Sequence, residues 1–321
     1  MTYDHGEPHD QGLLDVGQGN RVHWEVSGNP DGLPALLVHG GPGAGSNPRS
    51  REFFDPDRYR LVSFDQRGCG RSEPHAADPD TDMRHNTTHH LIADVELLRE
   101  HLGIDRWLVA GGSWGSTLAL AYAERNPHRV RAMVLSGATN ARRADFEWIT
   151  GGVGRFFPEA LARFRAGAPD LAPDDTNVAA AYSRLMEDPD QAVRDKAIRD
   201  WTTWEDTVVS LEPNGDPQAY SGRPPRNLAA MVRTVTHYWG NHAWLEEDEI
   251  LRDAHKLRGI PGTILHGRHD LGGPVSVAWE LVHAWPDAEL VVVEDSGHTG
   301  SAEFFRRKRE ILDRYAELSP R

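Results

Sequence analysis

Apolar residues recur along the first third of the chain in two alternating rhythms. Val22, Trp24 and Val26 take every second position in Arg21–Ser27, the period of a half-buried antiparallel strand. Ala35–Val38, Tyr59–Phe64, Trp107–Ala110 and Val130–Leu135 are short apolar runs, each ending in a glycine-rich or polar turn. Between them Leu91, Val95 and Leu98 share one face of a helix that Thr87 or Thr88 can cap and that reaches about His101. Ser116–Arg125 is a second helical run. Short strands alternating with helices predict parallel crossovers and a sheet covered on both faces. From about Ala141 to Leu245 the alternation stops, and the chain reads as helices and loops rich in tryptophan. It resumes with a strand at Gly262–His266, a helix near Val275–Trp285, a strand at Glu289–Val293 and a final helix around Glu303–Leu318. The pattern predicts a core formed by 1–140 and 246–321, interrupted by a helical cap at 141–245. Such an insert would lie over the strand ends where open α/β sheets bind ligands.

The length of 321 residues suits one large α/β domain carrying an insertion. A net charge of −14 leaves no basic stripe for phosphates, so nucleic acid is not an expected partner. No apolar run approaches the ~18 residues that cross a bilayer. The opening residues lack the basic and apolar regions of a signal peptide. With Cys69 as the only cysteine, no internal disulfide and no multi-cysteine zinc site can form. A cytoplasmic protein is the expectation.

The candidate chemistry starts at Gly111-x-Ser113-x-Gly115, between a predicted strand and a predicted helix. A serine on that sharp turn is lifted clear of the sheet, and small neighbours let the backbone bend there. A serine hydroxyl needs a base beside it. Asp270 and His298 each follow a predicted strand, in the order serine, acid, histidine, at the same sheet edge. Ser113, Asp270 and His298 are therefore the expected catalytic triad. An oxyanion hole is assigned to the N–H groups of Gly41, in His39-Gly40-Gly41-Pro42-Gly43, and Trp114. Each would contribute roughly 3 kcal/mol to the transition state. A dinucleotide site on Gly41-x-Gly43 with Asp65 is rejected, because Pro42 removes a donor and the third glycine is missing. His85, His89 and His90 lack a carboxylate at ligand spacing and read as solvated surface, so no metal is expected. Cys69 reads as a buried structural thiol.

Taken together, HGGPG (39–43), DQRGCGRS (65–72), NTT (86–88), GGSWGSTLALAYAERNP (111–127), WTTWED (201–206), HYW (237–239), IPGTILHGRHD (260–270) and SGH (296–298) resemble the prolyl aminopeptidase (proline iminopeptidase) family of α/β-hydrolases. The resemblance spans nearly the whole chain. It implies the α/β-hydrolase fold and the triad named above. It also implies release of an N-terminal residue, preferably proline, from a small peptide or amide with a free amine, without a cofactor. Glu205 matches a glutamate that holds the substrate amine in the family. Trp204, Tyr238 and Trp239 are candidate pocket walls, and Trp148 reads as core of the insert. The chain departs from the family at Val235, where a second glutamate is usual, and at Ser136 and Thr139. One fewer carboxylate should weaken amine binding by about 1–3 kcal/mol. A related serine amidase or esterase is the alternative, and a non-catalytic ligand-binding protein the third reading.

Overall fold

A computed structural model describes residues 3–213 and 215–317. Its strands are β1 (Asp10–Gly17), β2 (Asn20–Gly28), β3 (Leu33–Val38), β4 (Tyr59–Phe64), β5 (Trp107–Gly112), β6 (Val130–Ser136), β7 (Gly262–Gly267) and β8 (Ala288–Val293). They form one sheet in the order β1-β2-β4-β3-β5-β6-β7-β8. β1 and β2 are antiparallel to their neighbours, and every pairing from β4–β3 to β7–β8 is parallel. The expected mostly parallel α/β sheet is what forms. β1 escapes the sequence pattern because it is an edge strand with polar residues and glycines on both faces. Its Leu13 is 41% exposed.

Ten α-helices belong to the described residues: α1 (Thr88–His101), α2 (Trp114–Arg125), α3 (Arg143–Thr150), α4 (Pro158–Ala166), α5 (Val178–Met186), α6 (Gln191–Val209), α7 (Pro225–Gly240), α8 (Glu249–Asp253), α9 (Val275–Ala284) and α10 (Ala302–Ala316). Thr87 caps α1 by accepting from the His90 N–H. The end foreseen for the last helix, Leu318, lies outside the described residues. Leu91, Val95, Leu98, Trp114, Leu118 and Tyr122 bury one sheet face, whereas Phe304, Ile311, Leu312 and Tyr315 bury the other.

Helices α3–α7 all fall between β6 and β7, and they share an apolar cluster built on Phe164, Tyr182, Trp201, Trp204 and Val232. The cluster is fastened to the core by Arg233 of α7. Its guanidinium is buried and donates to the carbonyls of Ala76, Asp78 and Thr81 while pairing with Glu187. A buried cation satisfied by this many acceptors fixes orientation, because few other arrangements would pair it.

Glu124 of α2 is 3% exposed, and both carboxylate oxygens are buried without a partner. Burial, aided by nearby Asp253, pushes its pKa from 4.5 up to about 9, so the carboxyl is neutral in the fold. Between those values an unfolded chain releases a proton that the folded chain keeps, and stability falls as pH rises. Glu124→Gln is expected to stabilise the protein at pH 8 by about 2 kcal/mol and to change little at pH 4.5. Thermal unfolding at the two pH values measures this. An equal shift at both would show that charge burial is not the cause.

Candidate active site

The turn between β5 and α2 is set by glycines. A side chain at Gly111 would place its Cβ 2.3 Å from the Gly115 carbonyl, and one at Gly115 would lie 2.3 Å from the Val38 carbonyl. Only hydrogen fits at either position, so β3, β5 and the first turn of α2 meet backbone to backbone. Ser113, between them, adopts φ 55° and ψ −129°, a conformation that L-residues rarely occupy. Its N–H is anchored on the Ser136 carbonyl at 2.9 Å. The hydroxyl is thereby presented to the cavity above the sheet.

Asp270 follows β7 and His298 follows β8, and the fold brings both to that serine. His298 Nε2 lies 3.2 Å from Ser113 Oγ, and His298 Nδ1 lies 2.7 Å from Asp270 Oδ2. The other Asp270 oxygen accepts from the Gly273 N–H at 2.9 Å. The charge of Asp270 raises His298 to about 9 against the opposing effect of burial, and Glu212 and Glu205 add to the rise. Burial acts to raise Asp270, but the facing His298, His266 and the Gly273 N–H outweigh it and hold the carboxyl below its usual range.

Gly41 and Trp114 border the same cavity. Trp114 opens α2, so its N–H has no acceptor in its own helix. The Gly41 N–H has no acceptor among the described residues. Two free donors therefore flank Ser113. Gln66, which the sequence pattern does not single out, ties the two segments together. Its amide N–H₂ donates to the His39 carbonyl at 2.8 Å, and its oxygen accepts from the Trp114 indole at 2.9 Å. Asp65, the acid of the rejected dinucleotide reading, accepts from the Ser46 N–H and hydroxyl and from Arg71. It holds the loop that follows Gly43. Cys69 is fully buried under that loop, and burial drives its thiol pKa far up, so it is not a poised nucleophile.

Glu205 and Trp239 also line this cavity of about 1270 Å³. One Glu205 oxygen is buried without a partner, and burial pushes the carboxyl up to about 7 despite Arg223 and Trp201 nearby. Two of the expected wall residues lie elsewhere. Trp204 stacks on Phe164 with 5.1 Å between rings and donates to the Ile149 carbonyl, inside the insert. Tyr238 is fully buried against Trp114 and donates to Asn86. Both are core because each spends its polar atom on the fold. Trp148, expected in the core, packs against the insert cluster and also borders the cavity, fixed by a bond from its indole to the Leu271 carbonyl.

Another residue with no sequence signal is Glu212, in the turn after α6. Its buried carboxylate accepts from the backbone N–H of His298 at 2.6 Å, and from the N–H of Thr299 at 3.0 Å and its hydroxyl. A Cβ at Gly297 would collide with it. The insert thus grips the loop that carries the imidazole.

Comparison with known proteins gives the family of the chain. Residues 34–304 match the alpha/beta hydrolase fold family, which makes the chain an α/β-hydrolase. It is 48% identical to a Streptomyces coelicolor relative over 98% of this chain and 97% of that one. It is 44% identical to the proline iminopeptidase of Neisseria gonorrhoeae over 92% of both. The chain belongs to the proline iminopeptidase family. A crystal structure of proline iminopeptidase from Mycobacterium smegmatis shares the fold, with a TM-score of 0.61 and 20% identity, over 96% of this chain and 99% of that one.

Removing the Glu212 carboxylate frees two backbone N–H groups and loosens the His298 loop. Glu212→Ala is expected to lower kcat for any hydrolysed substrate by about 100-fold, with KM changed far less. Steady-state kinetics on an ester and an amide measure the split. A loss confined to KM would show that Glu212 does not position His298.

Proposed function

We propose that this protein is a serine aminopeptidase that releases N-terminal proline from short peptides or amides through an acyl-enzyme on Ser113. The observation that carries the reading is a buried carboxylate with a partnerless oxygen, Glu205, in the same cavity as the Ser113–His298–Asp270 chain. A cationic amine would supply the charge and hydrogen bonds that this oxygen lacks.

In this reading Ser113 Oγ attacks the carbonyl of the first residue while His298 Nε2 takes its proton. Asp270 holds the imidazole by Nδ1 and stabilises the imidazolium. The Gly41 and Trp114 N–H groups receive the oxyanion. His298 then passes its proton to the leaving amine, and water releases the acyl group by the reverse path. Glu205 fixes the free amine, so the scissile bond is the first one of the chain. Trp239 and Trp148 wall the space for a small ring. The same proposal assigns 141–245 as the cap that carries the selecting residues, with 1–140 and 246–321 as the core. A cytoplasmic setting goes with it, supported by the one buried free thiol. Among the described residues no helix is long and apolar enough to cross a membrane.

A second reading rests on Val235 and Thr139, which present apolar and hydroxyl surface to the cavity where the family usually has a glutamate and a phenylalanine. That reading is an amidase or esterase indifferent to the amine.

One comparison separates the two readings. A prolyl anilide should be cleaved far faster than its N-acetylated form, whereas equal rates would favour the second reading. Glu205→Gln should raise KM for the free-amine substrate by about 10–100-fold, as expected for one charge-assisted hydrogen bond, and leave a short-chain ester unaffected. Equal effects on both would remove Glu205 from amine binding. The pH dependence has a definite sign. Glu205 must be ionised to hold an ammonium, so KM for the amine substrate should fall as pH rises through about 7. His298 must be neutral to accept a proton, and Asp270 raises its pKa. The acid limb of kcat/KM should therefore lie above the ordinary imidazole range of about 6.5.

A further inference from the structure

Lys308 is a cation that the proposed chemistry leaves unused. It sits on α10 in the run Phe305-Arg306-Arg307-Lys308-Arg309. Arg306 and Arg307 of this run face solvent and are paired, Arg306 with Glu303 and Glu310 and Arg307 with Glu303. Lys308 turns the other way. It is half-buried and borders both the main cavity and a recess of about 170 Å³ that shares Ser113, His298 and Thr299 with it. Among the described residues it makes no ion pair or hydrogen bond, and its ammonium lies only over the Phe53 ring, 5.2 Å from the centroid. Burial without a counter-ion pushes its pKa down to about 8, so it is still mostly charged at neutral pH. The Arg49 side chain, on the rim of the same cavity, also has no acidic partner among the described residues. The other cations of the lining differ. Arg142 is paired with Asp145, and Arg223 acts on Glu205.

This distribution gives the cavity two poles in a chain whose net charge is −14. Glu205 marks the end that would take an amine. Lys308 also lines the recess that it shares with Ser113, His298 and Thr299, and Glu205 lines only the main cavity. The leaving nitrogen must sit next to His298 Nε2 to receive its proton, which brings the leaving residue to the recess that His298 and Lys308 share. In a dipeptide the α-carboxylate is attached to the carbon that bears this nitrogen, and it enters the same space. An anion there would offset the cost of burying the ammonium alone.

We propose that Lys308 forms a subsite for the free α-carboxylate of the leaving residue, so that the preferred substrates are zwitterionic dipeptides. This rests on the aminopeptidase reading of the same site. Glu205 and Lys308 then select the two charged ends of one small molecule, and the distance between them limits its length.

The test compares prolyl-alanine with prolyl-alanine amide, which differ only in the terminal charge. For the wild-type protein kcat/KM should favour the free acid by about tenfold, the worth of one charge-assisted contact in a partly wet cleft. Lys308→Met, which keeps an unbranched apolar side chain at this position, should bring the ratio to about one, and Lys308→Arg should retain most of it. Because the ratio is measured within one preparation, a change in the amount of folded protein cannot mimic the result. A wild-type ratio near one, or a ratio that Lys308→Met leaves intact, would overturn the subsite. If the wild type cleaves neither these dipeptides nor a prolyl anilide, the aminopeptidase reading fails and the subsite fails with it. Cleavage of the anilide with no preference for the acid sinks the subsite alone.

Discussion

The close approach of β3 to the first turn of α2 is the constraint on which the remaining geometry hangs. Gly115 lies against the carbonyls of Val38 and His39, and Gly40 lies against the Gly112 carbonyl and the Ser113 side chain. Any Cβ at 115 would drive the loop that follows β3 away from the serine turn. With the glycines in place, two backbone segments distant in sequence meet at contact distance and leave the N–H groups of Gly41 and Trp114 beside one hydroxyl. Ser113 accepts an unfavourable backbone conformation to stand there, at a cost of about 1–3 kcal/mol. The burial of α2 over-determines the turn. Trp114, Leu118 and Tyr122 are locked into the core, and the Trp114 indole is bonded to Gln66.

From that turn the site extends outward by contacts that each come from a different element. Asp270 reaches His298 from the end of β7, and Glu212 reaches the backbone of the same residue from the insert. The first fixes the ring and the second fixes the loop, so neither is redundant. Arg233 makes the second hold possible, because an insert free to rock on the core could not keep a carboxylate within 2.6 Å of a loop N–H. Glu205 and Glu212 thus come from one stretch of chain: α6 carries the first, and the turn at its end carries the second.

The parts that could be read in the sequence are those written in a local period or a steric demand. Seven of the eight strands follow from apolar runs, and Ser113 follows from glycines whose absence of a side chain is compulsory. β1 could not be read because its exposed Leu13 stands beside the inward Leu14 and Val16 and hides their alternation. A helical aromatic such as Trp204 or Tyr238 faces either core or cavity according to what packs against it. Phe164 and Asn86 decide the matter, and both are remote in sequence. Glu205 follows Trp204 immediately, about 100° further round the helix, which suffices to turn one side chain inward to the cluster and the next to the cavity. Glu212 and Lys308 lie outside every motif of the sequence, Gln66 lies within DQRGCGRS (65–72) with no sign there of what it bonds, and only the folded chain brings the three to the site.

The electrostatics of the cavity bear on the proton-transfer step as well. His298 is raised first by Asp270, which is at hydrogen-bond distance from its ring, and to a lesser degree by Glu212 and Glu205. In the aminopeptidase proposed above, an ammonium held by Glu205 would offset only the last of these fields, so the Asp270 charge still sets the protonation of the imidazole. Discrimination between a free and an acylated amine would then rest on binding at Glu205 and not on the strength of the base, which keeps the chemistry of the triad independent of the group that selects the substrate.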